Sequence, residues 1–373
     1  MTAWQRVASF GGMPESRSDE TWIYEPDIGP AQKFPVHVTN GKPFNVLGLK
    51  GADLDEIRKY AAHLRRTAKQ LYGPGIPRRR VETCPCCLMA TAGNTVDEHC
   101  FIGVTYHRCT NCAHGFVLEQ PTEEALNAVF ENSTAHASAY VNHDSLEARM
   151  REIISPKVNW TLSTYREVYS TTPKTGVDVG AGGGHFVEGM RRAGIDAAGY
   201  ELNRSSRQFA KEAFGLDLRK EDFLKIGSDP VDLVAFWGML EYAPEPRRFL
   251  EVARRQLIHG KGLLVVEVPR FDCLGTAVQM ENPFNIARHM DPTSHINTFS
   301  DASLATALVE TGFRPVAAWY FGMDVYEFLI QAALRLDDGA VIEKLADMIP
   351  TLQAGLDQSR QCDDLVVAAV PMK

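Results

Sequence analysis

Val177-Asp178-Val179-Gly180-Ala181-Gly182-Gly183-Gly184-His185-Phe186 is the stretch on which the reading of the whole chain turns. An apolar run holds an acid, glycines follow, and an apolar residue then opens a helical pattern. Glycines at such a strand-to-helix turn let the backbone bend sharply and let a ligand approach with no Cβ in the way. The dinucleotide fingerprint G-x-G-x-x-G, begun at Gly180, needs glycine where His185 stands; begun at Gly182, it needs glycine where Val187 stands. The lysine-hydroxyl pair of a P-loop is missing as well. What is left is D-x-G-x-G-x-G, with Asp178 two residues before the first glycine.

Downstream, apolar runs at 176–179, 197–201, 232–237 and 263–268 alternate with helical patterns at 186–193, 205–214 and 246–258. That alternation predicts βαβ units and a parallel sheet. The second run ends in Gly199-Tyr200-Glu201-Leu202-Asn203, and an acid at that strand end can accept both ribose hydroxyls of an adenosine. Asp222 and Phe223 stand where a third strand would end, an acid for the exocyclic amine of adenine and a ring for its face. One loop carboxylate alone usually means solvent. Asp178, Glu201 and Asp222 in order around one glycine loop point to an adenosyl cofactor. The tail continues as a helix (303–311), a strand (316–321), two helices (325–336 and 341–356) and a last strand (365–370).

Upstream, residues 1 to about 50 are rich in proline, glycine and polar residues, with no visible helical or alternating period. They read as an arm that wraps onto the body or is partly disordered. Asp53 caps a helix whose Leu54, Ile57, Ala61, Leu64 and Ala68 share one face; Gly73-Pro74-Gly75-Ile76-Pro77 ends it. Cys84 and Cys87 form one C-x2-C knuckle, and Cys109 and Cys112 form a second. Two such knuckles complete a tetrahedron for zinc, and four thiolates leave no open position for a catalytic water, so the expected metal is structural. Cys86, Cys100, His99, His107 and His114 are the competing ligands. A redox C-x-x-C needs no second pair.

The chain has 373 residues, 45% hydrophobic and 23% charged, room for two or three globular modules. A net charge of −8 with no basic stripe argues against nucleic acid as partner. Arg78-Arg79-Arg80 is the one dense basic cluster, a solvated linker or a phosphate contact. No run approaches the roughly 20 apolar residues of a membrane span, and the first residues lack a signal-peptide layout. The expectation is a cytoplasmic protein, where clustered cysteines serve metals more often than disulfides.

With these residues in view, VDVGAGGGHF, GYELN, EDF, the run from Asp232 to Arg270 and HINTFSDASLATALVETGF resemble a class I S-adenosylmethionine-dependent methyltransferase. The resemblance implies an α/β fold: a Rossmann-like seven-stranded methyltransferase sheet with an N-terminal zinc-ribbon module and helical additions. The layout is an arm and helix (1–80), a zinc ribbon (81–120), a helical connector (121–175), and a methyltransferase domain with C-terminal extension (176–373). It implies S-adenosylmethionine as cofactor, with Gly180, Gly182 and Gly184 on the methionine part, Glu201 on the ribose, Asp222 and Phe223 on the adenine, and Trp237 at the border.

The order of ribbon, core and extension is also similar to sugar C-methyltransferases of deoxysugar pathways, which carry a D-E-H-F-F-x-F-S-like segment with a catalytic histidine. Thr293-Ser294-His295-Ile296-Asn297-Thr298-Phe299-Ser300 matches it at the histidine and at the Phe-Ser end. Ser294 replaces the acid, Pro292 an upstream tyrosine, and Tyr242 the histidine of the usual L-E-H, so C- and O-methylation both stay open. His295 is the expected base, with Glu241, Tyr242 and His289 in reserve. The expected acceptor is a small molecule, a sugar or nucleotide-sugar in surface-polysaccharide or natural-product biosynthesis. The rivals are an RNA or protein methyltransferase and a non-catalytic cofactor-binding scaffold. Trp237-Gly238-Met239-Leu240 stands where amine methylators carry an Asn-Pro or Asp-Pro tetrapeptide. The helices after Val325 suit either a homodimer surface or a cap on the sheet.

Overall fold

The computed structural model describes residues 4–8, 17–26, 28–42, 45–132, 141, 143, 145–225, 227, 229–281 and 290–372. Its strands, in chain order, are β1 (Trp4–Ala8), β2 (Arg17–Tyr24), β3 (Gln32–Asn40), β4 (Arg78–Arg80), β5 (Thr95–Phe101), β6 (Val104–Cys109), β7 (Gly115–Val117), β8 (Glu119–Pro121), β9 (Thr175–Val179), β10 (Asp196–Tyr200), β11 (Leu233–Trp237), β12 (Leu263–Pro269), β13 (Asn297–Thr298), β14 (Phe313–Phe321) and β15 (Asp364–Pro371). β10, β9, β11 and β12 lie parallel in that spatial order. β15 then inserts antiparallel between β12 and β14. Every residue of β12 is buried, as expected for a strand covered on both faces. The side chains sort by the two-residue period of the pleat: Val234 and Phe236 join one apolar cluster, Leu233 and Ala235 the other.

Two features depart from the expected sheet. It has nine strands where seven are expected, in the order β1-β2-β3-β14-β15-β12-β11-β9-β10. The extra three come from the N-terminal stretch read as lacking a period. β2 and β3 pair antiparallel and β3 lies parallel to β14 through His37–Asn40. The alternation is present after all, in buried Phe34, Val36 and Val38 and in buried Trp22 and Tyr24. Pro35 interrupts its look but not its pairing, because it lies outside the stretch that β14 pairs. The expected third core strand, in contrast, shrinks to an isolated bridge between Tyr200 and Arg219.

Between the cysteine module and β9, helices run over Glu123–Asn132 and from Leu146 to Tyr169. The cysteine module forms its own sheet, β13-β7-β6-β5, whose fourth strand comes from the distant residues 297–298. Its cysteines pack into the same cluster as Phe116, Phe299 and the face of β11 and β12, so the module sits against the main sheet. No helix among the described residues is long and apolar enough to cross a membrane.

Candidate active site and metal centre

β9 ends at Val179 and the chain turns over glycines before helix His185–Arg192 begins. Gly180, Gly182 and Gly184 have φ of +75°, +51° and +76°, a region that costs other residues about 1–2 kcal/mol. A Cβ on Gly180 would stand 2.7 Å from Met239 Cγ. The amides of Gly180 and Ala181 both donate to the Tyr200 carbonyl, and that of Gly182 donates to Glu201 Oε2 at 2.7 Å. The Asn203 amide donates to Glu201 Oε1 at 2.6 Å. Backbone amides therefore fix the Glu201 carboxylate at the strand end, using about two of its four acceptor positions. Burial raises its pKa, and the amides of Asn203 and Gly182 pull it back. Gly180→Ala should weaken binding of S-adenosylhomocysteine by about tenfold or more, since 1.4 kcal/mol is a factor of ten; calorimetry with unchanged affinity would remove the strain argument.

Around this turn, Asp178 Oδ1, Glu241 Oε2 and Trp237 Nε1 are buried and make no hydrogen bond among the described residues. Burial pushes Asp178 up to about 7, against the pull of Lys157. Burial likewise holds Glu241 well above the carboxylate range. Glu241 Oε1 and Glu267 Oε2 flank the backbone of Gly238, whose φ is +63°. Lys157, from helix Ser155–Tyr169, donates to Glu267 Oε2 at 2.6 Å and lies 4.5 Å over the Trp237 ring. Three acids thus crowd one lysine, and the buried Asp178 Oδ1 suits a ligand that brings positive charge. Bare glycine backbone, a fixed acid at the strand end and a buried carboxyl fit an adenosyl-sulfonium cofactor. Lys157 and Glu267 escaped sequence reasoning because 110 positions separate them.

Asp222 is half-buried and its Oδ1 accepts from the Leu224 amide. The Phe223 ring is committed to Tyr200, Phe236 and Phe249, leaving Asp222 as the more accessible of the expected adenine pair. His185 packs on Phe209 and Phe214, and burial lowers it to about 3, so it is a neutral packing group.

His295 and Tyr242 come together: Nε2 lies 3.0 Å from Tyr242 Oη and the rings meet edge to face. Tyr242 follows β11 in the turn Leu240–Tyr242, on the carboxyl edge of the sheet. His295 is buried on a loop braced by its own polar residues: Asp291 accepts from the Thr293 amide and from both the Thr293 and Ser294 hydroxyls. Glu241 Oε1 instead lies beside Gly238, 3.3 Å from where a Cβ there would stand. His289 lies outside the described residues.

In the ribbon, Leu88 and Ala113 each follow a knuckle with left-handed φ near +58° and +59°, so the two turns match. Cys84 and Cys112 sulfurs are 3.6 Å apart, Cys87 and Cys109 3.7 Å, and all four lie within 4.8 Å of one another. A zinc tetrahedron with 2.3 Å bonds requires about 3.8 Å between sulfurs. A disulfide needs about 2.05 Å, and all eight cysteines are free. Cys86 is buried outside this group and Cys100 is exposed. His107 pairs with Asp97, and buried His114, lowered by burial to about 4, meets Asn297 Oδ1 through Nε2.

Residues 147–318 match a family profile described as a methyltransferase domain. No curated protein matches the chain. Among solved structures the chain is similar to plantazolicin methyltransferase BpumL in complex with SAH, at 12% identity and TM-score 0.43 over 66% of this chain and 94% of that one. It is similar to a SAM-dependent methyltransferase from Archaeoglobus fulgidus, at 18% identity and TM-score 0.40 over 61% and 99%. It is also similar to magnesium protoporphyrin IX methyltransferase from Synechocystis PCC 6803 with bound SAH, at 9% identity and TM-score 0.43 over 67% and 100%. Likenesses of this depth bear on neither acceptor nor reaction.

Proposed function

We propose that this S-adenosylmethionine-dependent methyltransferase delivers its methyl group to a hydroxyl or activated carbon of a sugar or nucleotide-sugar, with His295 as base and structural zinc on Cys84, Cys87, Cys109 and Cys112. The observation that carries the reading is the contact of His295 Nε2 with Tyr242 Oη at 3.0 Å, on the edge where parallel sheets bind ligands. The cofactor supplies a methyl group already activated on a sulfonium. The chain's own residues therefore have to align the partners, exclude water and take one proton. Gly180, Gly182 and Gly184 give the methionine part bare backbone. Glu201 offers its remaining lone pairs to the ribose, and Asp222 takes the adenine amine. Trp237 walls the site, and its buried Nε1 has no partner among the described residues. His295 takes the acceptor's proton through the Tyr242 hydroxyl: Tyr242 Oη passes its hydrogen to Nε2 and receives the acceptor's in exchange. The reducing cytoplasm suits eight free cysteines.

The test is a turnover screen with methyl-labelled cofactor against nucleotide sugars, RNA and protein. Label in a sugar product is expected; label in RNA or protein alone overturns the sugar reading.

Asp178 gives a pH dependence. Its carboxyl, raised to about 7, must lose a proton before it can face the cofactor's ammonium. Affinity for S-adenosylhomocysteine should therefore rise with pH up to about 7 and level off above, falling by up to tenfold per unit below. Asp178→Asn should flatten the curve, and a wild-type curve already flat from pH 5.5 to 8.5 would contradict this assignment.

A further inference from the structure

The ribbon does more than pack on the sheet. Its strand β7 pairs with β13, Phe116 opposite Asn297 and Gly115 opposite Thr298, and the Val117 amide donates to the Ile296 carbonyl at 2.9 Å. The approach is close: a Cβ on Gly115 would stand 2.2 Å from Thr298 Oγ1. Tyr106 of β6 donates to the His295 carbonyl at 2.6 Å. Thus the two residues on either side of the candidate base's peptide are tied to the cysteine module by main-chain and hydroxyl hydrogen bonds.

One side chain joins all the parts. Asn297, fully buried, accepts at Oδ1 from His114 Nε2 at 3.0 Å and donates through Nδ2 to the Ala243 carbonyl at 2.6 Å. Because Nδ2 is the donor to a carbonyl, Oδ1 faces His114, and Nε2 there carries the hydrogen. His114 lies two residues past Cys112, Asn297 two past His295, and Ala243 next to Tyr242. Stacked and tilted contacts with Phe116 and Phe299 hold the His114 ring in place.

We propose that His114 and Asn297 are positioning residues that set the His295–Tyr242 hydrogen bond from the zinc knuckle, making the ribbon part of the catalytic apparatus. A buried amide bonded on both sides is costly to disturb, which is why it can fix the relative placement of two loops. The proposal rests on His295 as base, but its geometric half can be read without turnover.

The experiment uses the full-length, zinc-containing chain in four forms: wild type, His114→Phe, His114→Gln and Asn297→Ala. Glutamine can place an N–H where Nε2 stood, whereas phenylalanine keeps the ring and removes the donor. The His295 imidazole is followed by nitrogen-15 NMR, its signal identified by its loss in His295→Ala, alongside zinc content, affinity for S-adenosylhomocysteine and the pH profile of turnover. Expected are unchanged zinc and cofactor affinity in all four, a displaced His295 signal and about tenfold or greater loss of kcat in His114→Phe and Asn297→Ala, and wild-type behaviour in His114→Gln. If Asn297→Ala fails to fold, the His114 pair decides. A His295 signal that stays at its wild-type position in His114→Phe overturns the proposal. A displaced signal with full kcat leaves the positioning intact and removes His295 as the base.

Discussion

His295→Ala is expected to lower turnover by about 100- to 10,000-fold while affinity for S-adenosylhomocysteine stays within twofold of wild type. The size follows from the proposed role: a sulfonium methyl needs no further activation, so alignment would account for most of the rate and the base for the rest. The loop should survive the substitution. Tyr106 binds the main-chain carbonyl of residue 295, and Asp291 braces the preceding turn through Thr293 and Ser294. Tyr242→Phe keeps the ring but drops the hydroxyl through which the proton passes, and should cost a similar factor. Full activity in His295→Ala would move the search to Glu241. Burial holds that carboxyl well above its ordinary range.

Loss of the metal should be the largest effect on stability. Structural zinc contributes about 10–16 kcal/mol to folding of small zinc modules, comparable with the whole 5–15 kcal/mol of a domain. Purified protein is expected to hold one zinc per chain. Cys109→Ser with Cys112→Ser should abolish it, lower Tm, and expose to hydrogen exchange the Val117 amide, which donates to the Ile296 carbonyl. The core sheet, which holds its own parallel ladder from β9 to β12, should keep its secondary structure. No zinc in the purified protein, with a Tm indifferent to chelator, would mean that the four thiols hold no metal.

Much of this fold is legible in the sequence because its signals are local. The glycine turn, the Glu201 strand end and the βα alternation each declare themselves within about ten residues, and the four cysteines announce their cluster by spacing. What was not legible depends on partners far away. β3 looks irregular through Pro35, and its pairing with β2 on one side and the distant β14 on the other makes it a strand. β13 is two residues long, too short to show a period, yet it carries the link from the ribbon to His295. Phe223 reads as an adenine wall by position, but three aromatic neighbours claim its ring. The pairing of Lys157 with Glu267 leaves no trace in either local sequence.

The parallel register of β3 on β14 sets Ala317 opposite His37, roughly 280 residues later in the chain. During synthesis at ~5–20 residues per second, β2 and β3 would leave the ribosome about 15–60 seconds before their partner exists. Through that interval β3 presents an unpaired edge with buried-to-be Phe34, Val36 and Val38, the kind of surface that chaperones bind and that seeds association between nascent chains. A premature stop before residue 313 would leave that edge permanently open, so truncated products should be cleared or insoluble, whatever the state of the glycine loop.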